Sequence, residues 1–375
     1  MKQPTISVLE RRARIGRRHL LAASTRTDDP AKAADAMVGL HGTDPTSFYL
    51  AARARVRGLT VAAMENSLYE RRDLLRILGM RRTLFVASIP VAGVIQASSA
   101  NDIARVERSR LIKWIEEAGI STDPSGWLEA VAQKTMGVLE GRGPSLIGEL
   151  SKEVPELFER IQVGAGTKWA VAQPVSSRIV FQLAAEGKVA RGRLRGSWIS
   201  SQHRWVALHE WLEGALPVLP ADDAREELVR LWLATFGPGT VSDLKWWTGW
   251  TMGQVRKTLA GVAPVEVDLD GTSGLALADD LEPVVPVEPW VALVPALDAT
   301  PMGWTDRGWY LGPHKPRLYD RNGNVGPTIW CDGRVVGGWA QTHRGSIAYH
   351  LLEDVGAEPI AAIEQEASSV EVFVG

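Results

Sequence analysis

The predicted fold is decided by the stretch Leu74-Leu75-Arg76-Ile77-Leu78-Gly79-Met80-Arg81-Arg82-Thr83-Leu84-Phe85-Val86-Ala87. Two apolar runs, 74–78 and 83–87, flank a basic turn that contains glycine, and this pattern predicts the two strands of a hairpin. Upstream, capping signals and apolar periodicity predict helices over 7–23 and near 30–40, 45–57 and 60–71. Helices followed by a hairpin with a basic tip are the order of elements in a winged helix.

The turn Gly39-Leu40-His41-Gly42-Thr43-Asp44-Pro45 lies between two of these helices and carries the main candidate site. Asp44-Pro45 is a helix-start signal, because the carboxylate caps free N–H groups and proline has no N–H to lose. His41 adds a titratable base and Thr43 a hydroxyl, both near the positive end of the helix dipole. Two interpretations stay open, namely a capped interhelical turn and a catalytic cluster of His41, Thr43 and Asp44.

The same order of elements recurs twice with different residues. A helix over 90–119 leads out of the first unit, and helices near 145–151 and over 174–186 then precede a basic hairpin that begins at 188–195. A third set comprises helices over 221–236, 240–247 and 251–259 and two strands within 265–277. The recurrence predicts tandem winged-helix units over residues 1–120, 121–215 and 216–283.

From residue 284 onward the pattern changes to short apolar runs, which lie at 291–294, 308–311, 328–331, 334–339 and 346–351. Asn322-Gly323 and Asp332-Gly333 are hairpin-turn pairs, because these residue types adopt positive φ angles at little cost. We therefore predict a compact β domain over 284–375, which ends with a helix at 359–366 and a strand at 370–374. The chain as a whole is predicted to be an α+β protein.

Composition indicates a globular protein without bound metal. The 375 residues, 45% hydrophobic and 23% charged, include no apolar run long enough to cross a bilayer, and the N-terminus lacks an apolar signal core. Cys331 is the single cysteine, which excludes an internal disulfide and a CxxC zinc site, and no two histidines are spaced as His-x-x-x-His. We expect a cytoplasmic protein that uses no metal and no cofactor.

Charge is unevenly distributed along the chain. Residues 1–115 hold 20 Lys and Arg against 10 Asp and Glu, a net charge of +10, and the remainder carries −12, which gives the overall −2. A basic third predicts a polyanionic partner on one side of the molecule. High local charge density selects a set of candidate phosphate contacts, Arg11, Arg14, Arg53, Arg57, Arg82, Arg191, Arg193 and Arg195.

Four blocks of the sequence resemble the AlkZ/YcaQ-type DNA glycosylases. They are LHGTDP (40–45), RRTL (81–84), LYDRNGNVGPT (318–328) and GRVVGGW (333–339), and the likeness runs in one consistent order from Arg11 to Trp339. The resemblance implies tandem winged helices arranged as a C-shaped clamp, followed by a C-terminal β-barrel. It also implies monofunctional excision of N-alkylated purines, including crosslinked ones, from double-stranded DNA. Because a clamp of tandem units can encircle DNA as one copy, we expect a monomer.

The chain departs from this family in the turn that carries the catalytic pair. Characterised members have Gln-x-Gln or Gln-x-Asp there, and alignment puts His41 at the first position and Thr43 at the second, with Asp44 just after. An N-alkylated purine is cationic and leaves readily, so the remaining tasks are to stabilise an oxocarbenium-like sugar and to position water. We interpret Asp44 as the stabilising charge, His41 as the group that positions or deprotonates water, and Thr43 as an orienting hydroxyl.

Two functions from different classes fit these features. The first is a monofunctional DNA glycosylase that serves repair or self-resistance to an alkylating toxin. The second is a non-catalytic winged-helix DNA-binding protein such as a regulator, which has no need of a histidine and a carboxylate together at this turn. An enzyme acting on small molecules is not supported, because the sequence has neither a glycine-rich nucleotide motif nor a set of metal ligands.

Overall fold

The computed structural model describes residues 3–164, 166–168, 170–285 and 287–375. The helices are α1 (Val8–Arg18), α2 (Pro30–Asp35), α3 (Pro45–Arg53), α4 (Val61–Glu65), α5 (Ile89–Ile95), α6 (Asn101–Glu117), α7 (Pro124–Arg142), α8 (Ile147–Glu153), α9 (Ser176–Ala185), α10 (Leu208–Trp211), α11 (Ala221–Phe236), α12 (Val241–Thr248), α13 (Met252–Val262), α14 (Gly308–Leu311), α15 (Lys315–Leu318) and α16 (Ala357–Val374). The strands are β1 (Leu40–His41), β2 (Leu74–Leu78), β3 (Leu84–Ser88), β4 (Arg160–Val163), β5 (Val171–Pro174), β6 (Val189–Leu194), β7 (His203–Ala207), β8 (Val265–Asp268), β9 (Ser273–Ala276), β10 (Val291–Val294), β11 (Thr328–Cys331), β12 (Arg334–Gln341) and β13 (Ile347–Leu351).

The hairpin predicted at 74–87 is confirmed as β2 and β3, which pair antiparallel with Leu74 opposite Ser88. Strand β1 pairs with the other side of β3 and places His41 opposite Phe85. The helix predicted over 30–40 is wrong beyond the end of α2. Val38 and Gly39 have positive φ angles of 54° and 108°, which turn the chain out of the helix and into β1.

The helix predicted over 90–119 is confirmed as a run of α5, a π-helical turn over Gln96–Ala100, and α6. Helix α7 had no counterpart in the sequence prediction, although its start carries the same signal as α3. Asp123 precedes Pro124, and its carboxylate accepts a hydrogen bond from the Gly126 N–H at 3.0 Å. An aspartate–proline pair was therefore a usable helix signal at a third place in this chain.

The two later hairpins are confirmed. Strands β6 and β7 pair with Val189 opposite Ala207, and β8 and β9 pair with Val265 opposite Ala276. Each follows helices in the predicted order. A further hairpin of β4 and β5 had no prediction, and it interrupts the second of the predicted units between α8 and α9.

The C-terminal region contains a four-stranded antiparallel sheet in the order β10-β11-β12-β13. Within the described ranges β10 and β13 are its two edges, so the predicted barrel does not close. Two predicted strands are wrong, because residues 308–311 form α14 and residues 370–374 belong to α16. The buried residues of α16, Ile363, Ala367 and Val370, recur at helical spacing in a cluster shared with the sheet, and this packing overrides the strand-like alternation of 370–374.

Among the described residues, the chain has two main hydrophobic cores. The larger one draws buried side chains from 15–95, from 190–275 and from 290–335, so the first, third and last predicted units pack together with the end of the second. The second lies within 111–207 and gives the segment from α6 to β7 a core of its own. Across the described ranges, no helix has the length and apolarity needed to cross a membrane.

A buried polar network joins the N-terminal helices to the C-terminal region. Arg55 donates to both carboxylate oxygens of Asp298 and to the Thr300 hydroxyl oxygen, each at 2.8 Å. His19 Nε2 lies 3.2 Å from the Thr235 carbonyl oxygen and therefore donates to it, so Nδ1 accepts from the Thr300 hydroxyl at 2.9 Å. Burial and the charge of Arg55 lower the pKa of His19 to about 3, which keeps the ring neutral.

Candidate active site

His41 is a nearly buried histidine at the end of β1, and its ring packs edge-on against Phe85 with 5.9 Å between ring centres. Only 8% of the residue is exposed, and Nδ1 has no hydrogen-bond partner among the described residues. Burial and the positive charge of Arg81 lower the pKa of His41 to about 4. The imidazole is therefore neutral at physiological pH, the state in which a histidine can accept a proton.

Asp44 caps α3, as its position before Pro45 predicts. Its Oδ2 accepts hydrogen bonds from the Ser47 N–H and the Ser47 hydroxyl, both at 2.9 Å, and from the Thr46 hydroxyl. All three bonds go to the same oxygen, which leaves Oδ1 for another partner. Thr43, one residue earlier, is exposed. The turn therefore combines the helix cap with a neutral base, a hydroxyl and one carboxylate oxygen that the cap does not use.

Arg76 in β2 supports this turn from within the protein. Its Nη2 donates to the Gly42 carbonyl oxygen at 3.0 Å, whereas Nε and Nη1 have no partner among the described residues. Burial lowers the pKa of Arg76, and the charge of Asp44 partly offsets this effect. The hydrogen bond to Gly42 fixes the backbone between His41 and Thr43.

Two arginines share one tryptophan, and the first of them, Arg81, lies within electrostatic reach of His41. The guanidinium carbon of Arg81 lies 4.0 Å from the ring centre of Trp246, and that of Arg307 lies 4.9 Å from the same ring and 4.7 Å from the ring of Tyr319. Burial and the charge of Arg307 lower the pKa of Arg81 to about 10. The two positive charges therefore lie close enough to affect each other, and Arg81 also acts on the neutral imidazole.

The tip of the β2–β3 hairpin holds Arg81 in an unusual backbone conformation. Arg81 and Arg82 have φ angles of 54° and 61°, a left-handed region that costs a non-glycine residue on the order of 1 kcal/mol or more. The side chain of Arg82 pairs with Glu107, whereas the guanidinium group of Arg81 lies over the ring of Trp246. Both arginines line an open cleft of about 400 Å³, whose other wall includes Thr251 at the start of α13.

Three arginines that the charge density selected are buried, with 7%, 2% and 7% of Arg11, Arg14 and Arg53 exposed. Their guanidinium groups have partners inside the protein. Arg11 stacks on Trp309 at 3.9 Å, Arg14 pairs with Glu10 and Asp280, and Arg53 pairs with Glu366. The structure therefore places these three side chains away from solvent.

The other five selected arginines are at least partly accessible, and three of them have acidic partners. Arg57 pairs with Asp28, Arg82 with Glu107, and Arg193 with Glu65 and Glu70. Arg191 instead lies over Trp205 at 4.6 Å, and burial together with the charge of Arg76 lowers its pKa to about 9. Arg195, at the end of β6, is exposed.

Sequence reasoning missed four side chains that the structure brings to this region. Arg81 lies in the RRTL block, directly before the selected Arg82, and Arg76 lies in the strand before it. Trp246 and Arg307 are far along the chain, and no sequence signal connects them to His41. No group of three His, Cys, Asp or Glu side chains suited to a metal ion occurs within the described part of the chain.

Comparisons with known proteins agree with the resemblance drawn from the sequence. A family profile described as "DNA glycosylase AlkZ-like" matches residues 34–373. Among solved structures, that of the Streptomyces sahachiroi DNA glycosylase AlkZ is similar with a TM-score of 0.75 and 19% sequence identity, and the match covers 98% of this chain and 97% of that chain. No curated protein sequence matches the chain. The structural likeness shows a shared fold.

Proposed function

The chain belongs to the AlkZ-like DNA glycosylase family, and on that premise we propose that it excises N7- and N3-alkylated purines from duplex DNA through His41, Thr43 and Asp44. Family membership makes it a DNA-binding hydrolase of DNA repair. The proposal adds the class of damaged base and the residues that act on it.

The observation that carries the proposal is the neutral imidazole of His41, whose Nδ1 has no partner among the described residues. The resemblance drawn from the sequence puts this residue at the first position of the family's catalytic pair. A base that must accept a proton from water has to be uncharged, and a pKa of about 4 keeps His41 uncharged at neutral pH. A cationic alkylpurine needs little help to leave, so activation of water is a sufficient task for this side chain. A histidine with a purely structural role would normally use both ring nitrogens in hydrogen bonds.

Asp44 and Thr43 complete the proposed chemistry. Asp44 Oδ1 is outside the cap and supplies negative charge to the oxocarbenium-like sugar as the glycosidic bond breaks. The Thr43 hydroxyl orients the attacking water. Arg76 is a positioning residue, because it acts through the Gly42 carbonyl, which it holds between His41 and Thr43.

The division into winged-helix units over 1–120, 121–215 and 216–283 and a C-terminal domain over 284–375 is part of the same proposal. It is supported by hairpins that follow helices in each of the first three segments and by the separate core of the second. In this arrangement a single copy of the chain bends around the duplex and exposes the damaged nucleotide, including a crosslinked one, to the turn that carries His41.

The experiment that tests this function uses duplexes that each contain one modified purine. The protein is incubated with DNA carrying 7-methylguanine, 3-methyladenine or a bulkier N7 adduct, and alkali converts any abasic site into a strand break. We expect a strand break at the position of the modified base and none in undamaged DNA. If no member of the panel is excised while duplex binding is retained, the chain is a non-catalytic DNA-binding protein such as a regulator.

A further inference from the structure

Arg81 and Arg307 are two positive charges without a counter-ion. Neither forms an ion pair with a described residue, whereas Arg82, next to Arg81, pairs with Glu107. Arg307 is only 8% exposed, and its Nε and Nη2 atoms are buried without a hydrogen-bond partner, as is Nε of Arg81. Buried guanidinium groups are normally paired, so two of them with unpartnered nitrogen atoms are suited to bind an anion.

The protein fixes the two guanidinium groups although they repel each other. Both contact the ring of Trp246 in α12. The segment before Arg307 is attached to the same helix, because the Asp243 carboxylate accepts from the Thr305 N–H at 2.9 Å and the Asp306 N–H at 3.1 Å. Arginines held by stacking and by a backbone anchor are ordered before any ligand arrives, which reduces the entropy lost on binding.

The acidic groups nearest in the chain have other roles. The Asp243 carboxylate is occupied by the two N–H groups described above and by Thr240 at the start of α12. Asp306, directly before Arg307, accepts from the Gly308 N–H at 3.3 Å and does not pair with its neighbour. Neither carboxylate therefore neutralises Arg307, and the positive charge of the arginine pair remains available to bind an anion.

We propose that Arg81 and Arg307 together bind one phosphate group of the DNA strand that carries the damaged nucleotide. Guanidinium groups match phosphate oxygens with paired N–H donors, so each of the two can donate to the oxygens of a phosphate. Arg81 is also close enough to shift the titration of His41, so a phosphate held there fixes the register of the strand at the turn. The identity of the damaged strand rests on the proposed function, whereas the phosphate site itself does not.

The test replaces single phosphates of the DNA by neutral methylphosphonates, one position at a time on either side of the lesion. The lesion is a 7-methylguanine nucleotide with 2′-fluorine, because the electron-withdrawing fluorine opposes formation of the cationic sugar and keeps the duplex intact. For the wild type we expect one position at which the Kd rises about 10-fold, the size of one lost charge-assisted hydrogen bond. In Arg307→Gln and in Arg81→Gln the intact duplex binds more weakly, and the methylphosphonate at that position has a smaller effect than in the wild type, because only one arginine remains to contact the phosphate.

A matched control is Arg344→Gln, which removes one charge from the exposed turn between β12 and β13. It should leave both the Kd and the effect of the critical methylphosphonate unchanged. Circular dichroism and Tm establish that each variant is folded, and the methylphosphonate series on the wild type gives a result even where a variant does not fold. The proposal is overturned if no position is critical, or if the critical position stays equally critical in both folded arginine variants.

A free phosphate ion has the same chemistry as the DNA group, and a second arm separates the two. Inorganic phosphate is added to the wild type at constant ionic strength, and Tm is measured. Protection by the ion without any critical methylphosphonate would assign the site to a free anion and overturn the proposal. If the critical phosphate is found but no alkylpurine is excised, the phosphate site stands and the proposed function fails. If alkylpurines are excised but no phosphate is critical, the proposed function stands and the phosphate site fails.

Discussion

His41 is the residue on which the proposed chemistry depends, and its charge state follows from its surroundings. An exposed histidine is half protonated near pH 6.5. Here burial and the charge of Arg81 both disfavour the imidazolium ion, so the ring stays neutral until the pH approaches about 4. A proton acceptor is therefore present at this turn throughout the neutral pH range.

The pH dependence of excision should report this lowered pKa. If His41 is the base, kcat/KM stays level from about pH 8 down to about 5 and falls as the pH drops through about 4. The measurement is an excision time course at several pH values with a 7-methylguanine duplex, and circular dichroism at each pH verifies that the fold is intact. A fall centred near 6.5 in folded protein would show that the base is an exposed histidine or that His41 is not in this environment.

The residues of the turn were predictable from sequence, but their environment was not. The aspartate–proline pair after His41 identified the cap, and the cap is present with three donors on one oxygen. The unpaired Nδ1 and the low pKa depend on Phe85 and Arg81, which come from the paired hairpin. A titration state set by contacts across a sheet cannot be deduced from spacing along one segment.

Among the elements, α12 joins the arginine pair to the rest of the protein through its cap. Asp243 is fully buried and accepts four hydrogen bonds, two from Thr240 at the start of the helix and two from the backbone of Thr305 and Asp306. One carboxylate therefore caps the helix that carries Trp246 and anchors the segment that carries Arg307.

Replacement of Asp243 by alanine should destabilise the protein strongly. Four donors in part-buried hydrogen bonds lose their buried acceptor, so we expect the free energy of unfolding to fall by about 3 kcal/mol or more. Asp123→Ala removes an exposed cap with a single hydrogen bond and should cost about 1 kcal/mol. Urea unfolding of both variants measures the difference, and equal losses would contradict the anchoring role of Asp243.

Helix boundaries were predictable where a capping residue precedes a proline, and strands were predictable where a turn signal separates two apolar runs. The errors have a common physical origin. Residues 370–374 alternate like a strand, yet α16 continues through them because Val370 packs with Ile363 and Ala367 against the C-terminal sheet. Residues 308–311 are apolar enough for a strand but form one helical turn, in which Trp309 and Tyr310 are buried. Tertiary packing overrode local preference in both places.

For the whole molecule, the unequal charge of the two parts of the chain has an internal explanation. Arginines of the basic N-terminal third form ion pairs with carboxylates of the acidic remainder, namely Arg14 and Arg18 with Asp280, Arg26 and Arg53 with Glu366, and Arg55 with Asp298. The asymmetry was visible in the sequence, but its meaning was not, because composition does not distinguish a surface for DNA from a set of ion pairs within the protein. Some of the arginines that were predicted to contact a polyanion, such as Arg14 and Arg53, therefore stabilise the fold through ion pairs within the protein.

The buried network around His19 makes the stability of the fold depend on pH. The pKa of His19 is lowered to about 3 in the folded protein, whereas it is near 6.5 in the unfolded chain. Below about pH 6.5 the unfolded chain takes up a proton that the folded protein does not, so stability falls as the pH falls, by about 1.4 kcal/mol per pH unit for this residue. Urea unfolding at about pH 7, 6 and 5 measures the slope before most carboxylates titrate.

The variant His19→Gln isolates this contribution, because it removes the titrating group and can keep one hydrogen bond to the network. The free energy of unfolding of this variant at neutral pH is lower than that of the wild type. Between about pH 6 and 5, however, it should fall by about 1.4 kcal/mol less than the free energy of unfolding of the wild type falls. An unchanged slope would mean that His19 is not held neutral by its burial.

The most direct test of the proposed chemistry is the single-turnover rate of 7-methylguanine excision by the wild type, His41→Ala, Asp44→Asn and the double variant, with duplex affinity measured alongside. Asparagine is a good helix cap, so Asp44→Asn removes the charge and keeps the start of α3. We predict that the wild type excises the base and that His41→Ala slows excision by about 10²–10⁴-fold with little change in Kd, because a general base acts mainly in the transition state. Asp44→Asn should likewise lose rate and keep affinity. A folded double variant that excises 7-methylguanine at the wild-type rate would contradict the assignment of this turn as the catalytic site.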